Sequence, residues 1–454
     1  MSAIFLLPGL LSLFLVIRGR IETAFVSVYL PALLLLPNGY IFRVPHLPAI
    51  SAAQSALIPI GAVAVYRLVR SGLPSIMDIL VSLFLISSSI SEVFREHVMN
   101  DGIFYAITSF ISIFLAYAVG RKLIEPVLRF VTVRRMVVLV LLLGPIGLIE
   151  WRLGINLYGL IGDRLFHLYG VQSGVQFRSG HGRISTSFND SEIAGIIFGI
   201  IAALNVWLVY LNKWQTGADL GKWLSKLEKF HIPGLLLLGY IFLTQSRGPM
   251  LAVAAGYVIL QIPRFKNTKA ASIAAAILLI VAAIGAYQYF TRYTNIDPSE
   301  VMNEQQGSAL YRRQMNEFYQ PIVEVGGTFG WGMLSHPILP GMFSIDNEFL
   351  LVHLAYGSSG YILFLLITAE TFRGLIVRSW RLQARVDQAF ATCMLGAMAV
   401  FFISITTAYM GEQTPQIAFL LIGWSQSIVP SSVSAADVPE IEAPARFAFK
   451  QVFR

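Results

Sequence analysis

Three stretches of this 454-residue sequence combine arginine with glycine, two of them with carboxylates as well, in ways that could hold and transfer a phosphorylated group. The first is Thr244-Gln245-Ser246-Arg247-Gly248-Pro249, lying between two apolar segments. A charge there costs a few kcal/mol unless it is paired or faces water. Gly248 and Pro249 break the helix and let the backbone approach a ligand. The plain alternative is an interfacial arginine snorkelling from a helix end. The second stretch starts with Ser308-Ala309-Leu310-Tyr311-Arg312-Arg313, which opens a helix running to about Val325 by the spacing of its apolar residues. It continues through the glycine-flanked turn Phe329-Gly330-Trp331-Gly332 to Ile345-Asp346-Asn347-Glu348. An aspartate at a helix entrance ordinarily caps it, and the alternative for Asp346 is a general base. The third stretch holds Gln176-Phe177-Arg178-Ser179-Gly180, Arg183 and the run Thr186 to Glu192. In it Asn189, Asp190 and Ser191 are natural caps and Glu192 suits a first helical turn, whereas Arg178 and Arg183 have no such default job.

Composition states what must position these residues. The chain is 56% hydrophobic and only 13% charged, against about 25% charged in soluble domains. Apolar runs near 20 residues recur along it, each a candidate spanning helix. The reading is an all-α integral membrane protein of about 12–13 spans, with ends uncertain by a few residues. They fall near 4–17, 22–37, 50–67, 75–92, 102–119, 136–151, 192–211, 232–246, 249–263, 270–290, 348–369, 386–410 and 413–429. The first run lacks the basic start and small-residue cleavage site of a secretion signal; Arg18 and Arg20 follow it, so it reads as a short span, the alternative being a shallow hairpin with the second. A single cysteine, Cys393, excludes an intramolecular disulfide.

The organisation expected is N-terminal spanning helices over 1–151, a long loop at 152–191, central helices over 192–290, a second long loop at 291–347, C-terminal helices over 348–429 and a disordered tail at 430–454. With alternating sides, 23 of the 33 lysines and arginines fall on one face, which places that face in the cytoplasm. All eight lysines lie there, so the opposite face carries arginine alone. Arginine's planar fork grips phosphate oxygens in pairs, which lysine cannot do. Both long loops belong to that outer face, and long loops on a rigid scaffold carry function disproportionately. The basic pI of about 9.5 marks the cytoplasmic side of a membrane protein, not nucleic-acid binding.

In order along the chain there is a serine-arginine-glycine turn, a long outer loop with an arginine, Gly-x-Gly, and a polar pair whose Asn347 stands shortly before Gly357-Ser358-Ser359-Gly360. This order over about 175–365 resembles the O-antigen polymerase and ligase superfamily of bacterial membrane glycosyltransferases. The resemblance implies a fold like the class C glycosyltransferases in the bacterial inner membrane, with the active site facing the periplasm. It implies a glycan carried on undecaprenyl diphosphate as substrate, an acceptor glycan, membrane lipid around the site, and polysaccharide export or chain-length proteins as partners. Arg247 and Arg312, with Arg178 and Arg313, would bind the diphosphate; Asp346 and Asn347 would be catalytic; Ser246, Gly248, Gly330 and Gly332 would support them. Ligases of the family carry a histidine where Asp346 stands, so polymerase is favoured over ligase. His353 is a fallback base, although a lone intramembrane histidine is more often a packing residue.

No carboxylate cluster of the outer face has spacing suited to magnesium, and neither metal nor cofactor is expected. Gly357 and Gly360 read as a small-xxx-small spot for close helix packing. The rival of another class is a flippase for lipid-linked oligosaccharides. Transporters usually need ionisable residues deep in several spans, and here Asp78, Glu92 and Glu370 stand near span ends or alone.

Overall fold

A computed structural model of the chain describes residues 2–95, 99–166, 174–178, 180–211, 232–296, 303–342 and 344–428. The lysine-bearing linker 212–231, the tail 430–454 and Ser179 lie outside the described residues. Among the described residues fourteen helices of 11 residues or more carry the fold: α1 Leu7–Ile17, α2 Ile21–Leu35, α3 Ala52–Arg70, α4 Ile76–Arg95, α5 Asn100–Lys122, α6 Pro126–Leu153 and α7 Ser191–Leu211. They continue as α8 Ile232–Leu243, α9 Arg247–Leu260, α10 Thr268–Thr294, α11 Glu304–Gly326, α12 Glu348–Arg381, α13 Arg385–Ser404 and α14 Thr414–Gln426. Two hairpins of two-residue strands are the sheet content among the described residues, and one of them pairs Arg178 with His181.

Each of the thirteen expected spans is helical, and the helix expected from Ser308 is α11. Their lengths differ from the expectation. Among the described residues eight helices are long and apolar enough to cross a membrane. The helices α1, α2, α8, α9 and α14 are shorter; at 1.5 Å per residue α8 spans about 18 Å, against a hydrocarbon core of about 30 Å. An apolar run reads alike in sequence whether it faces lipid or protein. Helix α14 is of the second kind, with Thr414 and every residue from Gln416 to Gln426 buried. It crosses α5 at glycine positions so close that a Cβ on Gly120 would stand 2.0 Å from the Leu420 carbonyl oxygen, and one on Gly423 2.1 Å from that of Tyr117. Eight apolar spans around such a core make this a multi-pass helical membrane protein.

Helix directions follow from these contacts. Helices α7 and α8 run antiparallel, Gly195 lying against Thr244 and Gly234 against Asn205; α9 returns parallel to α7, with Gly199 on Val253. The starts of α7, α9, α12 and α14 and the ends of α4, α6, α8 and α13 therefore share one end of the bundle. That end carries the loops singled out in the sequence.

Candidate functional site

At this end two arginines from distant segments, Arg183 and Arg312, converge on one carboxylate, Glu192. Arg312 of α11 places Nη2 3.3 Å from Glu192 Oε1 and 3.9 Å from Asp346 Oδ2. The same nitrogen donates to the Thr407 carbonyl at 3.3 Å, and Nη1 donates to Ser308 Oγ at 3.1 Å. Arg183 Nη2 stands 3.9 Å from the same Glu192 oxygen. The same Nη2 donates to Ser246 Oγ at 2.8 Å and Nε donates to the Thr244 carbonyl at 3.1 Å, bracing the turn between α8 and α9. Ser246 Oγ passes the chain on to the Ser191 carbonyl at 3.1 Å. Arg178 donates to the Gln245 carbonyl at 2.7 Å. Arg247 is exposed in the first turn of α9, without a hydrogen bond or ion pair among the described residues. Gly248 lies against Thr407, so close that a Cβ would meet Thr407 Oγ1 at 2.1 Å. The turn at 244–248 is thereby packed onto the residue whose carbonyl holds Arg312.

Local sequence explains why these groups stay in place. Asp190 Oδ1 accepts from the Glu192 and Ile193 backbone N–H groups, capping α7 as expected and fixing Glu192 in its first turn. Asn347 caps α12 through Oδ1, which accepts from Phe349 and Leu350, while its Nδ2 reaches Asn316 Oδ1 at 3.4 Å. The cap weighed for Asp346 therefore falls to its neighbour Asn347, whose side chain makes these structural contacts. Asp346 is left to accept from Ser344 Oγ at 2.8 Å and to face Arg312. Three buried carboxylates then pin the loops by accepting backbone N–H groups. Glu150 of α6 takes Ser185 and Thr186, Glu92 of α4 takes Met333 and Leu334, and Glu348 of α12 takes Met410. Of the five non-glycine residues with positive φ among the described residues, Thr186, Asn189, Gln245 and Glu412 belong to these loops. Backbone held in that region costs about 1–3 kcal/mol and collects where geometry is imposed for function.

Electrostatics at this end reflect crowding. Burial pulls the Arg183 guanidinium below its ordinary pKa, Arg178 adds to the pull and Glu192 opposes it. Burial pushes the Glu412 carboxyl up; the Asn189 amide bond opposes that shift and Asp190 adds to it. The Tyr409 hydroxyl is raised by burial first and then by the carboxylates Asp190, Glu412, Asp346 and Glu192 around it.

Several expected site residues stand elsewhere. Arg313 turns away to Glu317 at 2.9 Å and the Thr294 carbonyl at 3.2 Å. His353 stacks on Tyr361, ring centroids 4.4 Å apart, in keeping with a packing role. Gly330 and Gly332 belong to a turn docked into a break in α12. At Gly357, with φ of 65° inside that helix, the carbonyls of Leu354 and Ala355 accept from Trp331 and Gly332 instead of from their own helix. In return the Ser358 and Ser359 N–H groups donate to Gly327 and Thr328. A Cβ on Gly330 would lie 2.4 Å from the Gly357 nitrogen. The Gly357–Gly360 stretch is thus a loop socket, where helix packing was expected. Sequence reasoning missed Glu192 as the shared partner, because an acid in a first turn already has an electrostatic reason to be there. It left Thr407 out altogether, because a backbone carbonyl has no residue signature. Among the described residues no three His, Cys, Asp or Glu side chains come together as a metal-ligand set.

Fold and site together define a multi-pass helical membrane protein with an arginine cluster, only partly neutralised, at one end of its bundle. No protein-family model matches the chain, and no curated protein matches it in sequence.

Proposed function

We propose that the protein is a membrane glycosyltransferase that polymerises oligosaccharide units carried on undecaprenyl diphosphate, at the periplasmic face of a bacterial inner membrane. The observation that carries this reading is the arginine cluster with a carboxylate set against it. Arg247 lies in the 244–248 turn, Arg178 donates to its Gln245 carbonyl, Arg312 donates to the carbonyl of Thr407, which packs on Gly248, and Asp346 lies within ion-pair distance of Arg312. Arg178 and Arg247 have no carboxylate within ion-pair distance among the described residues, which leaves cation capacity for an anionic ligand. A lipid diphosphate supplies two phosphate groups for such forks.

In the reaction the bond between the anomeric carbon and the diphosphate oxygen breaks, and the electron pair leaves with the lipid diphosphate. The acceptor hydroxyl oxygen forms the new bond to that carbon and gives its proton to Asp346. Fixed guanidinium groups stabilise the charge growing on the leaving diphosphate, so the reaction runs without a metal. Reversible loss of activity on EDTA treatment would contradict that part.

The testing experiment is the lipid-linked glycan profile of a strain lacking this protein, with the membrane side of each species determined. Single repeat units stranded on the periplasmic face are the expected result. Long lipid-linked polymer that never reaches its acceptor would make the protein a ligase, and units retained on the cytoplasmic face would make it a flippase.

A further inference from the structure

The long helix α10 stands apart from its neighbours, and its first turns lie at the end of the bundle opposite the candidate site. Only 6% of its apolar window is buried, against 44–83% for the other seven span-length helices. Its first turns are nonetheless fixed: Trp380 Nε1 donates to Ser272 Oγ at 3.2 Å, and Gln388 Nε2 to Thr268 Oγ1 at 3.2 Å. Between α10 and the end of α9 this leaves a groove of about 710 Å³. Its walls are apolar, with Tyr257, Val258, Ile262, Ala271, Ala275 and Leu278 among them, and Lys266 stands on its rim. Arg264 and Lys269 flank that lysine in the chain. All three cations are exposed and without an ion pair among the described residues, and no carboxylate occupies the first turn of α10.

We propose that this groove is a binding site for an anionic phospholipid, with an acyl chain against the α9–α10 walls and the phosphate against Arg264, Lys266 and Lys269. The charge pattern selects the occupant. An apolar trough with Lys266 on its rim and two further exposed cations within three residues of it in the chain complements an amphiphile with an anionic head, and a zwitterionic lipid would bring its own cation to the same rim. A second copy of the chain is disfavoured by the same pattern, because a two-fold contact through this face would set three cations against three. The site is independent of the chemistry proposed at the other end.

The test is native mass spectrometry of the purified full chain in detergent, titrated with phosphatidylglycerol or phosphatidylcholine of the same acyl chains. Phosphatidylglycerol should be retained at least tenfold more strongly than phosphatidylcholine. Two variants should each lose that preference at least tenfold: Ala274→Phe, which fills the groove from an exposed position, and the combined Arg264→Gln, Lys266→Gln, Lys269→Gln. Thermal unfolding checks that both remain folded. Equal retention of the two lipids, or unchanged phosphatidylglycerol retention in both variants, overturns the proposal. A lipid-free dimer that Ala274→Phe dissociates would overturn it in favour of a second copy.

Discussion

Arginine is used at both ends of the bundle, and the two clusters differ in what surrounds them. At the end away from the candidate site, Arg129 of α6 meets Asp387 of α13 at 3.2 Å and the Ser427 carbonyl at 3.0 Å, with the Phe390 ring 5.3 Å from its Cζ. Arg121 donates to the Gln426 carbonyl at 2.6 Å and lies 3.7 Å from Asp78. These carbonyls close the C-terminus of α14, where a cation is favoured by the helix dipole. The Arg129 and Asp387 side chains are 3% and 6% exposed, so the pair is sealed. Arg312 and Asp346 are 25% and 26% exposed and meet at 3.9 Å, open to a third group. One cluster therefore fastens helices, whereas the other leaves room for a ligand.

The largest expected effect is at the sealed end. Removing Arg129 breaks a buried ion pair with Asp387, which typically costs about 3–5 kcal/mol. Arg129→Ala should therefore insert poorly and melt far below the wild type in detergent. Wild-type melting of this variant would erase the distinction between the two ends.

Next in size is Arg312→Ala. Glu192 keeps Arg183 as a partner, so the variant should insert and stay folded. Its turnover of lipid-linked repeat units in a purified assay should fall by about 10²–10³-fold, the usual cost of losing one preorganised donor to developing charge. Arg312→Lys should recover only part of that, because an ammonium lacks the planar fork. Normal polymer from Arg312→Ala would remove the diphosphate-binding role while leaving the fold untouched.

The same contrast shows what was readable beforehand. Apolar runs marked the helices because lipid and protein interiors impose the same demand, and for that reason they could not tell α14, wrapped in protein, from a lipid-facing span. The turn at 244–249 and the cap at Asp190 were legible because both are made by neighbours in sequence. In sequence Arg121 and Arg129 only add to the basic count of the cytoplasmic face, because their partners, Asp78, Asp387 and the end of α14, lie far away in the chain. Glycine spacing at Gly357 and Gly360 is compatible with close helix packing and with a broken helix alike. Only the carbonyls freed at Leu354 and Ala355, and the turn that takes them, decide between the two.

The smallest effect belongs to Glu412, at the edge of the open end, and it has a definite sign. Its carboxyl is raised above the ordinary range, chiefly by burial. The fold thus favours the protonated form, and folded-state stability is lost as pH rises from the ordinary carboxylate value through the raised one. Glutamine keeps a carbonyl oxygen for the Asn189 amide, now 3.3 Å from Glu412 Oε1, and it cannot ionise. Glu412→Gln should therefore melt roughly a few degrees above the wild type near pH 8 and match it near pH 4. A lower melting temperature at pH 8 would mean that the fold stabilises ionised Glu412. The open end would then be more fully neutralised than its geometry indicates.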